Sequence, residues 1–298
     1  MKILVSGWFS FEAMGATAGD LIARDRVTGW LEEQGLAYDV AVAPPFALGI
    51  DWRTTDPKAY SHVIFVCGPF GQGEPVVGFL KHFEGCRLIG LNLSMLEPVE
   101  KWNPFDLLIE RDSSRTSNPD LTFLGGRKAV PVVGVLLVHP QAEYGKKARH
   151  PLANQAIQRL ISSREMACVT IDTRLDTNTT GLRTPAEIEA LIARMDLVLT
   201  TRLHGLVLAI KNGVPALAVD PIAGGAKILR QAQTIGWPAV FTVDQLEDQV
   251  LYRAWDYCLS NEARAKAQEC SSRARTLLGS VYGSLFEALK RSDESTKV

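Results

Sequence analysis

Along almost the whole chain, short apolar runs alternate with segments whose apolar residues recur at helical spacing. That alternation confines the fold to an α/β architecture with parallel sheets. The pattern is sharpest at residues 196–213. An apolar run at Leu197–Leu199 reads as a buried strand, Arg202 and His204 follow at once, and a second apolar run closed by Gly213 reads as a helix. A guanidinium and an imidazole therefore stand where a strand ends and a helix begins. Free backbone N–H groups and the helix dipole already favour an anion at such a position. An arginine in so apolar a stretch needs a negative partner, since breaking a buried ion pair costs roughly 3–5 kcal/mol.

The first half offers strands near 2–7, 38–42, 62–67, 87–91 and 106–110. A helix from about Asp20 to Gln34 carries Leu21, Ile22, Val27, Trp30 and Leu31 on one face and ends at Gly35. A second series begins after the break Gly125-Gly126-Arg127-Lys128, with strands near 131–138, 167–172, 196–200, 214–219 and 239–243. Residues 152–163 and 185–195 read as helices, the latter with Thr184 as N-cap, Pro185 at the first position and Glu187 two residues on. Segments 140–150 and 173–183 read as loops, 244–291 as helical, and Ser292–Lys297 as a frayed tail. The simplest architecture is two α/β units, 1–127 and 128–291, joined near residue 127, with the cleft between them as the default ligand site.

At 298 residues the chain is long enough for two such units. A hydrophobic content of 46% and a charged content of 22% are ordinary for a globular enzyme, and a formal net charge of −1 argues against nucleic-acid binding. Met1-Lys2 runs straight into Ile3-Leu4-Val5, too short a run for a signal peptide, and no apolar stretch approaches the ~20 residues that span a bilayer. Cys67, Cys86, Cys168, Cys258 and Cys270 are scattered without metal-ligand spacing. They read as buried reduced thiols in a cytoplasmic protein with no metal site.

Asp220-Pro221-Ile222-Ala223-Gly224-Gly225-Ala226-Lys227 follows the strand Ala216–Val219 and opens a helix. Paired glycines let backbone approach a ligand, and a helix start with Lys227 suits a phosphate. Right-handed crossover brings this strand end to the same sheet edge as Arg202 and His204, so Arg202, His204, Gly224, Gly225 and Lys227 are expected to line one electropositive pocket. Each has a plainer reading: Arg202 paired with Asp196 or Asp220, His204 as a cap or core residue, Gly224-Gly225 as a turn, Lys227 as a solvated lysine. In the first half, the loop Gly7–Asp20 has glycines but not the dinucleotide spacing and no cation. Trp8, Phe9 and Phe11 with Glu12 and Asp20 suit a sugar, whose C–H face packs on aromatic rings, or else they fill the floor of the cleft. Cys67-Gly68-Pro69-Phe70-Gly71-Gln72-Gly73 ends another strand, and Cys67 has no base beside it in sequence. Arg111 follows the strand Leu107–Ile109 and is aimed at the cleft, while Asp112 with Ser113 reads as a turn cap.

Three of these segments resemble the polysaccharide pyruvyl transferase family: Gly19-Asp20 after the first loop, Arg111-Asp112-Ser113-Ser114, and above all Thr201-Arg202-Leu203-His204-Gly205 with Gly213-Val214-Pro215. The likeness spans 15–285. It implies a glycosyltransferase-B-like fold of two Rossmann-like domains, an acceptor-side first domain, a donor-side second domain, and a last helix packing back on the first. It also implies transfer of a pyruvyl group from phosphoenolpyruvate, as donor substrate and with no cofactor, to hydroxyls of a saccharide or glycolipid as a ketal. The loop Trp8–Ala18 lacks the family's asparagine-rich run, and 67–73 matches loosely.

Phosphoenolpyruvate needs cations around both its phosphate and its carboxylate. Arg202 and Lys227 are assigned to them, with Arg111 as a further partner for the carboxylate. His204 is the expected general acid, because an imidazole titrates near the operating pH, and Glu12 or Asp20 the expected base. Two other classes stay open: a nucleotide-sugar glycosyltransferase of the same architecture, and a non-catalytic anion-binding homologue. The acceptor and the oligomeric state are left open, a homo-oligomer included.

Overall fold

The computed structural model describes residues 1–126, 129–139 and 142–294. The chain divides into two compact units, Met1–Lys128 and Ala129–Val298. The expected join at Arg127 lies outside the described residues.

The first unit runs β1 (Lys2–Gly7), α1 (Ala18–Glu33), β2 (Ala37–Val40), β3 (His62–Val66), β4 (Pro69–Phe70), α2 (Val76–His82), β5 (Arg87–Met95) and β6 (Leu107–Asp112). Every pairing is parallel: β1 lies between β2 and β3, and β5 pairs with β3, β4 and β6. Alternation along β1 puts Ile3 and Val5 on the face covered by α1, with Ala23, Val27 and Leu31. Leu4 lies on the opposite face with Phe65, Phe70 and Phe79. The helix expected from Asp20 starts two residues earlier, and its buried stripe is Asp20, Ala23, Val27 and Leu31. Ile22, expected on that face, is exposed. The short helix α2 and the two-residue β4 carry too little periodicity to read from sequence.

The second unit runs β7 (Val132–Leu136), α3 (His150–Ser163), β8 (Ala167–Thr170), α4 (Pro185–Ile192), β9 (Leu197–Thr200), α5 (Leu203–Lys211), β10 (Ala216–Asp220), α6 (Lys227–Ile235), β11 (Val240–Thr242), α7 (Asp248–Cys258), α8 (Asn261–Leu277) and α9 (Val281–Glu294). Its sheet is parallel, in the order β11-β10-β9-β7-β8. Strands β9 and β10 are buried along their whole length, as expected of continuous apolar runs covered on both faces. Thr184 caps α4 by accepting from the Glu187 N–H at 3.1 Å, as its position predicts. The single helical stretch expected over 244–291 is three helices, divided where Ser260 caps α8 and where the chain turns at Leu278–Ser280. Helix α9 continues to Glu294, inside the tail expected to fray, and residues 295–298 lie outside the described residues. Four of the five cysteines are buried, whereas Cys168 is exposed on the edge strand β8.

Both units therefore share one Rossmann-like strand sequence. The first two strands run outward one way, and the third starts the return on the other side of the first. In such sheets a ligand site forms outside the carboxyl ends of the strands, where the order reverses. That point lies between β1 and β3 in the first unit and between β7 and β9 in the second.

Candidate functional site

In the second unit a concavity of about 100 Å³ lies beyond the carboxyl ends of β9 and β10, next to the reversal point, bounded by Val138 beyond β7, Thr201–His204 beyond β9 and Asp220–Ile222 beyond β10, with Lys227 and Ile228 opening α6. Two helices begin at its wall. At the start of α5, the Arg202 N–H is taken by Thr200 Oγ1 at 2.9 Å, while the N–H groups of Leu203, His204 and Gly205 have no protein acceptor among the described residues. The hydroxyl of Thr200 also bonds to the Leu136 carbonyl, tying β9 to β7. Gly205 is demanded by this packing, because a Cβ there would lie 2.1 Å from Thr200 Oγ1. Thr201 is buried, donates to Asn154 Oδ1 and accepts from the Val138 N–H, both at 2.8 Å. The strand–helix corner is thus fixed from below.

Arg202, His204 and Lys227, expected together from sequence, all line this concavity. His204 is exposed and Lys227 half-buried, and among the described residues neither has a carboxylate partner. The Lys227 ammonium lies 5.4 Å from the Tyr144 ring centroid. Arg202 is paired, but with neither Asp196 nor Asp220. Its Nη1 donates to Asp172 Oδ1 at 2.8 Å, while Asp196 pairs with Arg264 at 2.9 Å. Asp172 stands two residues beyond β8 and is 4% exposed. It also takes Arg174 Nη2 at 2.8 Å, with His139 Nε2 at 3.9 Å. Two guanidinium groups share one carboxylate, so the cluster keeps a positive surplus.

Burial pushes the Asp172 carboxyl upward, yet the hydrogen bonds from Arg174 and the charges of Arg174 and Arg202 outweigh it and hold the group well below the usual carboxylate range. A carboxyl depressed by folding contributes stability that is present above its unfolded value of 3.8 and lost as the pH falls from there through the folded value. Unfolding free energy measured from neutrality down to acid pH should therefore fall more steeply below about pH 4 for wild type than for Asp172→Asn. Parallel curves would contradict the pairing.

Asp220, expected as a partner for Arg202, is fully buried and accepts from backbone: Ile222 N–H at 3.1 Å, Ala226 N–H at 2.8 Å and Leu229 N–H at 3.0 Å. It caps α6 from inside and leaves the Lys227 and Ile228 N–H groups without a protein acceptor among the described residues. The role assigned to Gly224 and Gly225 is corrected. The Gly224 N–H donates to Asp244 at 2.6 Å and the Gly225 N–H to the Ile222 carbonyl at 2.8 Å, so neither amide is free for a ligand. With φ of 78° and 76° the pair forms the turn that returns the chain to Asp220.

In the first unit, Trp8, Asp20 and Arg111 line a concavity of about 390 Å³ at the β1–β3 reversal point. Trp8 donates its indole N–H to the Pro69 carbonyl at 3.0 Å and lies across Gly68, where a Cβ would meet the ring at 2.2 Å. The other assignments here change. Arg111 Nη1 is held by Asp120 at 2.7 Å, Nε by Asp112 at 3.2 Å and Nη2 by Ser94, so a substrate carboxylate would have to displace a protein partner. Asp20 Oδ2 accepts from both the N–H and hydroxyl of Thr17 at 2.7 Å, a capping box at the start of α1. Glu12 pairs with Arg53 at 3.2 Å and lines a neighbouring concavity with Trp52 and Glu74, apart from Asp20. Phe9 and Phe11 are core residues, 0% and 6% exposed. Burial pushes the Cys67 thiol up to about 11, which disfavours a nucleophile.

Asp172 is the site residue that sequence reasoning missed. It opens a polar loop 30 positions before Arg202, and the only signal was the cluster Arg174, Asn178, Thr179 and Thr180 that wraps it. Among the described residues no group of three His, Cys, Asp or Glu side chains could hold a metal ion. No described helix is long and apolar enough to cross a membrane.

The segment that builds this pocket also carries a sequence relationship. Residues 148–221 match the polysaccharide pyruvyl transferase family model. The match includes Asp172, Thr201–Gly205 and Asp220, and agrees with the resemblance seen in the sequence. No curated protein matches the chain. Similar solved structures include the UDP-GlcNAc 2-epimerase of Methanocaldococcus jannaschii at 11% identity and TM-score 0.34, covering 95% of this chain and 100% of that one. They also include the spinosyn rhamnosyltransferase SpnG complexed with thymidine diphosphate (11%, 0.32, 92% and 96%) and Acinetobacter baumannii MurG (12%, 0.31, 91% and 95%). Scores this low leave the fold to rest on the two sheets themselves.

Proposed function

We propose that this polysaccharide pyruvyl transferase-like chain transfers a pyruvyl group from phosphoenolpyruvate to the hydroxyls of a saccharide, and that the second unit binds the donor. One observation carries the reading: two open helix starts and three cationic or titratable side chains, Arg202, His204 and Lys227, face one small concavity. Helix N-termini with flanking cations suit a phosphate. A volume of about 100 Å³ suits a small phosphorylated acid better than a nucleotide sugar, since drug-sized ligands occupy pockets of roughly 300–1,000 Å³.

Arg202 and Lys227 hold the phosphate and carboxylate. His204 gives a proton to the methylene carbon of phosphoenolpyruvate, which turns C2 into an oxocarbenium-like electrophile. A saccharide oxygen adds to C2 and loses its proton to a base. Phosphate then leaves C2 with its bonding electron pair, a second hydroxyl oxygen takes its place and loses its proton, and the products are a ketal and inorganic phosphate. The saccharide is assigned to the first unit's concavity beside Trp8. Asp20, which lines that concavity, remains the proposed base, after release from Thr17; Glu12 lines the neighbouring concavity and is dropped from the role.

Arg202→Ala should weaken phosphoenolpyruvate binding about tenfold or more in a calorimetric titration, because a charge-assisted, two-pronged contact is lost. Unchanged affinity would remove Arg202 from the site. Thermal shift with phosphoenolpyruvate against nucleotide sugars separates donor classes, and phosphate release over an acceptor panel separates an enzyme from a non-catalytic binder.

A further inference from the structure

We infer that Asp172 is a positioning residue: it fixes one corner of the Arg202 guanidinium so that the opposite edge meets the anionic substrate. The inference rests on the donor-site reading above and adds to it a residue that never touches substrate. Arg202 Nη1 donates to Asp172 Oδ1 at 2.8 Å, and among the described residues Nε and Nη2 have no acceptor. A guanidinium presents its donors in a rigid planar fork, so holding one nitrogen sets the direction of the other two. Arg202 lines the concavity, and its free edge is assigned to that space.

Asp172 is itself immobilised. Its carboxylate accepts the Arg174 backbone N–H at 3.0 Å, Arg174 Nη2 at 2.8 Å and the Thr179 hydroxyl at 3.4 Å, and its carbonyl accepts from Asn178 at 2.8 Å. The polar loop 173–183 is therefore built around this carboxylate. His139 faces it from beyond β7 at 3.9 Å. A lone Arg202–Asp172 pair would be neutral and a poor anion site. Arg174, bound to the same carboxylate, restores the positive sign while Asp172 keeps its hold on Arg202.

Asp172→Ala, which removes the acceptor as well as the charge, separates positioning from charge, because the two make opposite predictions. Removing a negative charge beside the pocket strengthens anion binding if net charge alone decides, whereas loss of positioning weakens it. Calorimetric titration of the full chain with phosphoenolpyruvate should show Asp172→Ala binding about tenfold more weakly than wild type. The double variant Asp172→Ala/Arg202→Ala should be no weaker than Arg202→Ala alone, since Asp172 acts only through Arg202. In turnover assays the variant should raise KM for phosphoenolpyruvate more than it lowers kcat. Asp172→Ala affinity equal to or tighter than wild type, or losses that multiply in the double variant, overturns the inference. Should Asp172→Ala fail to fold, Asp172→Glu, which keeps the charge but displaces it by one methylene, carries the test: weakened binding is expected and wild-type affinity overturns it. A wild type that does not bind phosphoenolpyruvate overturns the functional reading instead, so the two failures are distinct.

Discussion

His204→Ala should lose about 10²–10⁴-fold in turnover while folding as wild type does, the range expected when a positioned proton donor is removed. Both halves of this expected result follow from where the side chain stands. His204 is the second residue of α5, exposed on the pocket wall, and among the described residues it has no hydrogen-bond partner, so its removal opens no cavity and orphans no buried group. The ring is held at the concavity because Gly205 and Leu206 behind it are buried against the sheet. Phosphoenolpyruvate affinity should change less than turnover, since the helix start, Arg202 and Lys227 remain. Circular dichroism and thermal unfolding check the fold, and a phosphate-release assay checks the rate. Loss of folded protein would make His204 a structural residue, and retained turnover would pass the proton-donor role to another group.

Asp220→Ala should lower unfolding free energy by roughly 3 kcal/mol or more, because each buried donor left without an acceptor costs about 1–3 kcal/mol. Three backbone N–H groups converge on this fully buried carboxylate; one, from Leu229, belongs to the first turn of α6, and another comes from Ala226 immediately before it. Their release should free the start of that helix and move Lys227 away from Arg202. The variant is therefore expected to lose donor affinity along with stability. Asp220→Asn, which keeps one acceptor oxygen, should lose less of both. Denaturant midpoints provide the measurement. A midpoint equal to wild type would show that the loop 221–226 holds itself without Asp220.

What was legible in the sequence was local. The Thr201–Gly205 corner could be read because strand, cation, imidazole and helix follow one another within a few residues, and parallel crossover then places the Asp220–Lys227 segment at the same sheet edge. The partner of Arg202 could not be read. Asp172 comes to it across the sheet from the end of β8, a contact set by strand order, and the order β10-β9-β7-β8 is not written in any short segment. Gly224 and Gly225 show a second limit: a glycine pair at a helix start signals positive φ, but not whether the freed amides face a ligand or, as here, Asp244 and Ile222. The first loop shows a third. Trp8, Phe9 and Phe11 look equivalent in sequence, yet the chain buries Phe9 and Phe11 and leaves Trp8 at the concavity. Asp20 and Arg111 likewise show charge in sequence without showing that Thr17, Asp112 and Asp120 already engage it.

The concavity beyond β9 and β10 of the second unit is proposed to receive a small phosphorylated acid. A structure of the chain with phosphoenolpyruvate bound tests it most directly. The phosphate or carboxylate is expected between Arg202 Nε/Nη2 and Lys227, with the His204 and Ile228 N–H groups donating to it and the Asp172–Arg202 bond kept. Phosphoenolpyruvate seated elsewhere, with Arg202 and Lys227 untouched, would contradict it.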